Sequence, residues 1–89
     1  MFEIAHLLRL ADIFMAKTGR KEGGLSYLLF NDGKKLSQLR AGRSIAVGSF
    51  NAALVWFDRN WPEGLEWPEG VVRPPPGYRL PSETEEKTA

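Results

Sequence analysis

Cysteine is absent from the 89 residues. Its absence removes disulfides, thiolate nucleophiles, iron–sulfur clusters and the common structural zinc sites together. Histidine occurs once, as His6, on a helical stretch whose neighbours one turn away are Phe2, Glu3, Arg9 and Leu10, none of them a nucleophile. General acid–base work needs a placed partner, so the chain is expected not to be an enzyme and to use no cofactor. Carboxylates are not ordered as in a calcium loop. Neither a P-loop nor a dinucleotide fingerprint occurs, since Asp32-Gly33-Lys34-Lys35 is too short and lacks a preceding strand. Long apolar runs are missing too. MFEIAHLLRLADIFM is interrupted every third residue by Glu3, His6, Arg9 and Asp12, whereas a membrane span needs about 20 unbroken apolar residues. The expectation is a cytoplasmic protein with no membrane partner. Those four polar residues also suit the outer flank of a helix lying on a surface.

What is present suffices for one small folded unit. Apolar residues are 43% and aromatics 11%, with three Trp, a composition that argues against wholesale disorder. A chain this short buries only about 60 to 65% of its surface, so the core is modest. Net charge is +1, but the distribution is uneven. Residues 1–60 carry nine basic and five acidic side chains, and residues 61–89 carry three basic and six acidic. Within 17–43, Lys17, Arg20, Lys21, Lys34, Lys35, Arg40 and Arg43 stand against only Glu22 and Asp32. Clustered cations of this kind are the electrostatic footprint of a phosphate-binding face.

Periodicity predicts four helices. The first runs from Phe2 to Lys17, with Ile4, Leu7, Leu8, Ala11, Phe14 and Met15 at helical spacing. Leu10 and Ile13 widen its apolar arc enough to face two neighbours, and Gly19 supplies a left-handed stop. A second helix spans Lys21–Phe30 on Leu25, Leu28 and Leu29, although Gly23 and Gly24 cost about 1 kcal/mol each relative to Ala. A tight Asn31-Asp32-Gly33 turn leads to a third helix, Gly33–Ala41, capped by Asn31 or Asp32, with Leu36 and Leu39 inward and Gly42 at its end. The fourth runs from Val47 to Trp61 on Phe50, Ala53, Leu54, Phe57 and Trp61, and Pro62 stops it. A short strand at Ser44–Val47 is the alternative at its start.

All six prolines follow this last helix, in WPEGLEWPEGVVRPPPGYRLP. The tetrapeptide WPEG occurs at 61–64 and again at 67–70, too few copies for a solenoid. The stretch reads as an arm, residues 62–81, whose Leu65, Trp67 and Val71 cover the end of the core. Each such side chain stabilises by about 1.5–3 kcal/mol when buried. As a proline-rich ligand it would lack a Pro-x-x-Pro pair. Residues 82–89, SETEEKTA, read as a disordered tail.

The basic segment suits duplex DNA. A helix of about ten residues fits the major groove, where polar and basic side chains meet base edges while flanking Lys and Arg meet phosphates. The candidates are Ser26 and Tyr27 on the second helix, and Lys34, Lys35, Gln38 and Arg40 on the third, with Arg43 beyond it. Gln38 and Arg40 are the types able to make bidentate base contacts. Lys21, Lys34, Lys35 and Arg43 are cast as phosphate contacts.

Three stretches carry a family resemblance: LSYLLFNDGKKLSQLRAG at 25–42, ALVWFDRNWPEG at 53–64 and WPEGVVRP at 67–74. Together they resemble a group of small, often prophage-associated alphaproteobacterial regulators of the helix-turn-helix, phage-repressor-like kind. The resemblance implies DNA binding in transcriptional control. It also places candidate base-reading positions on a Ser-Thr-Val-Ser-like string, where this chain has Gly23, Gly24, Leu25 and Ser26 and so keeps only Ser26 as a polar side chain.

The expectation is therefore an all-α, compact four-helix phage-repressor-like helix-turn-helix domain, residues 1–61, with a proline-rich C-terminal arm, binding double-stranded DNA without turnover. A homodimer is expected because one small module buries little DNA surface, with Leu10, Ile13 and Trp56 or the Trp-rich arm as its contact. The competing reading, favoured by Gly23, Gly24 and the small net charge, is a protein-interaction or inhibitor module that binds a protein partner on the same fold.

Overall fold

The computed structural model describes residues 3–80. Four helices form in chain order: α1 (Ile4–Thr18), α2 (Glu22–Phe30), α3 (Lys35–Arg40) and α4 (Val47–Asn60). No strand occurs among the described residues, so the chain reaches α4 through an irregular stretch and not through a strand at Ser44–Val47. No helix among them is long and apolar enough to cross a membrane. The disordered tail expected at 82–89 lies outside the described residues.

α1 buries Leu7, Leu10, Ala11 and Phe14, one stripe at three- and four-residue spacing. It packs against all three other helices, one more than its arc predicted. Its end is doubly closed. Gly19 takes φ 77°, where an L side chain is strained, and donates its N–H to the Met15 carbonyl at 2.8 Å. Thr18 Oγ1 donates to the Phe14 carbonyl at 2.8 Å. α4 supplies the opposing stripe, Phe50, Ala53, Leu54 and Phe57, with Val55 beside it. Trp61 turns to an extended conformation ahead of Pro62, which has no N–H to continue the helix.

α2 and α3 differ from expectation at their junction. Asn31 is the left-handed C-cap of α2, φ 57°, its N–H bonded to the Tyr27 carbonyl, and does not cap α3. Asp32 bends the chain instead, its Oδ1 accepting the Lys34 N–H at 2.9 Å in a local turn. α3 therefore begins at Lys35 and not at Gly33. Leu28, counted inward on spacing, is 41% exposed, because α2 turns Leu25 and the position after it to the core. Ile45, ahead of α4, is buried with Leu36 and Leu39 in the same core.

The segment from Trp61 to Leu80 explains the repeated tetrapeptide. In each copy the proline carbonyl accepts the N–H three residues on, Leu65 to Pro62 and Val71 to Pro68, and the glycine between, Gly64 or Gly70, sits at φ 83°. A positive φ at the third position is what a type II turn demands and what glycine supplies. In each copy the tryptophan indole N–H also donates to the carbonyl four residues on, Trp61 to Leu65 and Trp67 to Val71, at 2.8 and 2.9 Å. A third turn of this build closes at Pro75 and Tyr78 around Gly77. The repeat is thus one turn used twice. Val71 is buried in the core and Trp67 packs against it, 5.0 Å from the Trp61 ring, with the Arg73 guanidinium 4.6 Å above its own ring.

Candidate nucleic-acid interface

Ser26, expected on the outer face of α2, is fully buried. Its Oγ donates to the Asp32 carbonyl at 2.6 Å and accepts the Leu36 N–H at 2.9 Å. One hydroxyl thus joins α2, the turn and the first turn of α3, and it satisfies two backbone groups that the bend takes out of helical pairing. Ser26 is not available to read bases. The signal was present in the sequence: Leu29 and Phe30 follow at i+3 and i+4, so position 26 lies on the core side of the arc.

The backbones at Gly23 and Gly33 run side by side at ordinary van der Waals distance. A Cβ at Gly23 would lie 3.8 Å from the Gly33 carbonyl oxygen, and one at Gly33 would lie 3.6 Å from that of Gly23. The turn before α3 is therefore folded back beside the first turn of α2. This places Lys34, the residue after Gly33, close to the helix start that Lys21 caps.

Arg40 is also removed from the reading face. Its Nη2 donates to Asp12 Oδ1 at 2.6 Å and its Nε donates to Glu22 Oε1, so one guanidinium ties the end of α3 to α1 and to the start of α2. The hydrogen bonds to Asp12 and then to Glu22 raise its pKa above the ordinary arginine value, outweighing the opposing effect of partial burial. The planar fork suits two carboxylates at once. Gln38 and Lys35 are half-buried and not fully outward.

The remaining cations are differently placed. The side chains of Lys17, Arg20, Lys21, Lys34, Lys35 and Arg43 enter no salt bridge among the described residues. Lys17 ends α1, Arg20 and Lys21 lead into α2, Lys34 caps α3 and Arg43 follows it. Lys35 helps line an open cleft of about 660 Å³ between the C-terminal half of α2, from Tyr27 to Asp32, and Ser49 and Ala52 of α4. Tyr27, as expected, is exposed, at 59%, and Leu28 lies next to it. The outward strip of α2 is thus Lys21, Gly24, Tyr27, Leu28 and Asn31.

Of the residues expected at a dimer contact, Leu10 is fully buried in the core and presents nothing to a second copy. Trp56 is half-buried and packs edge-on against Phe14 and Phe57. His6 lies 3.7 Å from Glu3, and no group of three metal-ligating side chains occurs among the described residues.

Comparison of the chain with family models, with curated proteins and with solved structures finds no match.

Proposed function

We propose that the chain binds double-stranded DNA as a non-enzymatic regulator of transcription, of the phage-repressor-like kind that its sequence resembles. The observation that carries this reading is the group of six cations, Lys17, Arg20, Lys21, Lys34, Lys35 and Arg43, with no acidic partner among the described residues. Cations clustered along 27 residues and left without carboxylate partners form the electrostatic footprint that phosphates fit. Among the described residues after α4, no carboxylate forms a salt bridge with these cations. The hydrogen bonds of that segment to the helices go to Arg9, Asp58 and Arg59. On this reading Lys21 and Lys34 flank the start of α2 and grip phosphates while the helix faces the groove, and binding is driven by counterion release.

The test is a titration of duplex DNA at about 50 and 200 mM salt, for which each neutralised phosphate contributes a slope of about −0.9 in log K against log salt. Lys21→Glu with Lys34→Glu should abolish or strongly weaken binding. Each single Lys→Ala change should flatten the slope by about 1. Undetectable binding at the lower salt, or charge reversal without effect, rejects the reading.

A second reading, a module that binds a protein partner, is favoured by a separate observation: Tyr27 and Leu28 stand exposed side by side, Tyr27 at the mouth of the α2–α4 cleft, while Arg40 is committed internally. Under it, Tyr27→Ala would remove partner binding and the lysine reversals would not.

A further inference from the structure

We infer, on the reading that the chain binds duplex DNA, that it grips the phosphate backbone and discriminates weakly among sequences, sensing thymine methyl groups through Tyr27 and Leu28 and little else. Three observations converge on this. First, two of the candidate base readers are used inside the fold, since Ser26 is buried with its hydroxyl donating to Asp32 and accepting from Leu36 and Arg40 holds Asp12 and Glu22, while the third, Gln38, is half-buried on α3 and lies off α2. Second, between Lys21 and Asn31 at its ends, the exposed residues of α2 are Gly23, Gly24, Tyr27 and Leu28, none of them able to make a bidentate base contact. A Cβ at Gly24 would meet nothing within 4 Å, so packing does not require glycine there. What glycine does provide is a bare helix surface that another backbone can approach. Third, the cations sit at the ends of this strip: Arg20, Lys21 and Lys34 at the start of α2, and Lys35 on the cleft beside its C-terminal half. α2 has nine residues, about 13 to 14 Å at 1.5 Å per residue, close to the width of about 12 Å of the major groove. Seated in the groove, such a helix brings the cations at its two ends to the flanking phosphates and its apolar middle to the base edges. The one base feature an apolar side chain engages in the major groove is the thymine methyl.

The experiment measures affinities of the full chain for a pool of random duplexes, for the best duplex recovered from that pool by repeated selection, and for the same best duplex with deoxyuridine in place of thymidine. Specific regulators separate best from random sites by about 10³-fold or more, whereas this chain should show less than about 10²-fold. Replacing thymine by uracil removes only methyls and leaves the protein untouched, and should weaken binding about fourfold for each methyl in contact. Tyr27→Ala with Leu28→Ala should erase the difference between thymine and uracil duplexes. Gly24→Gln, which adds a bidentate reader to the strip, should create a preference for adenine at one position. A best-to-random ratio above 10³ overturns the inference while leaving DNA binding intact. Equal affinity for thymine and uracil duplexes, or no new preference in Gly24→Gln, overturns the placement of this strip in the groove. No binding to any duplex overturns the proposed function itself.

Discussion

Ser26 shows how much a single hydroxyl can decide. Its two hydrogen bonds satisfy a carbonyl and an N–H at the bend between α2 and α3, and no buried side-chain nitrogen or oxygen among the described residues is left without a partner. Ser26→Ala nearly keeps the volume but strands the buried Leu36 N–H and leaves the Asp32 carbonyl only the 3.4 Å bond from the Lys35 N–H, so it should cost about 1 to 3 kcal/mol in urea unfolding, above the effect of an exposed Ser→Ala change. Arg40 acts through its fork. Asp12 and Glu22 are partly exposed, so Arg40→Ala should cost only about 1 kcal/mol. The pH sign follows from the shift: a guanidinium whose pKa is raised on folding contributes its full stabilisation below the ordinary arginine value and loses it only as pH rises beyond. The difference in stability between wild type and Arg40→Ala should therefore show no loss of the guanidinium's charge across neutral pH.

Among the helices longer than two turns, α2 is the least self-sufficient. It begins with Glu22, Gly23 and Gly24 and runs nine residues, too short to persist without tertiary contacts. Gly24 is the point at which stability and function separate. Its backbone is not in the positive-φ region and its missing Cβ faces open space, so Gly24→Ala should raise stability by about 0.5 to 1 kcal/mol. The same substitution at Gly19, held at φ 77°, should instead lower it by about 1 kcal/mol. Thermal melting of the two variants distinguishes a helix-interior glycine from a cap. The boundaries of α1 and α4 were legible to within about two residues because each has a full amphipathic stripe and a breaker, Gly19 or Pro62. The start of α3 was missed by two residues as well, because Asn31 and Asp32 are both good caps by type yet neither caps it, and Lys34 takes that place.

At the level of the whole molecule, the segment after α4 completes the core instead of trailing from it. Val71 is buried with Phe14, Phe57 and their neighbours, and Trp67 stacks near Trp61 while Arg73 pairs with Asp58 at 2.6 Å. Val71→Ala should cost about 2 kcal/mol, and Trp67→Ala more, about 3 kcal/mol, with a change in tryptophan fluorescence. Chemical denaturation of both variants should remain one cooperative transition, since a chain of this size has one core. A separate early transition for the segment would show that it is not part of that core.

The all-helical class, the inward stripes of α1 and α4, the glycine stop after α1 and the proline stop after α4 followed from the order of residues alone. Helical periodicity and breakers are local properties, and this chain expresses them strongly. The roles of Ser26 and Arg40, the outward turn of Leu28 and the grouping of the free cations around α2 were decided only by tertiary structure. The hydrogen bonds of Ser26 and Arg40 reach partners 6 to 28 residues away, Asp32, Leu36, Glu22 and Asp12. A polar side chain has the same type whether it faces water or a buried backbone group, and only the packing of the helices determines which of the two it meets.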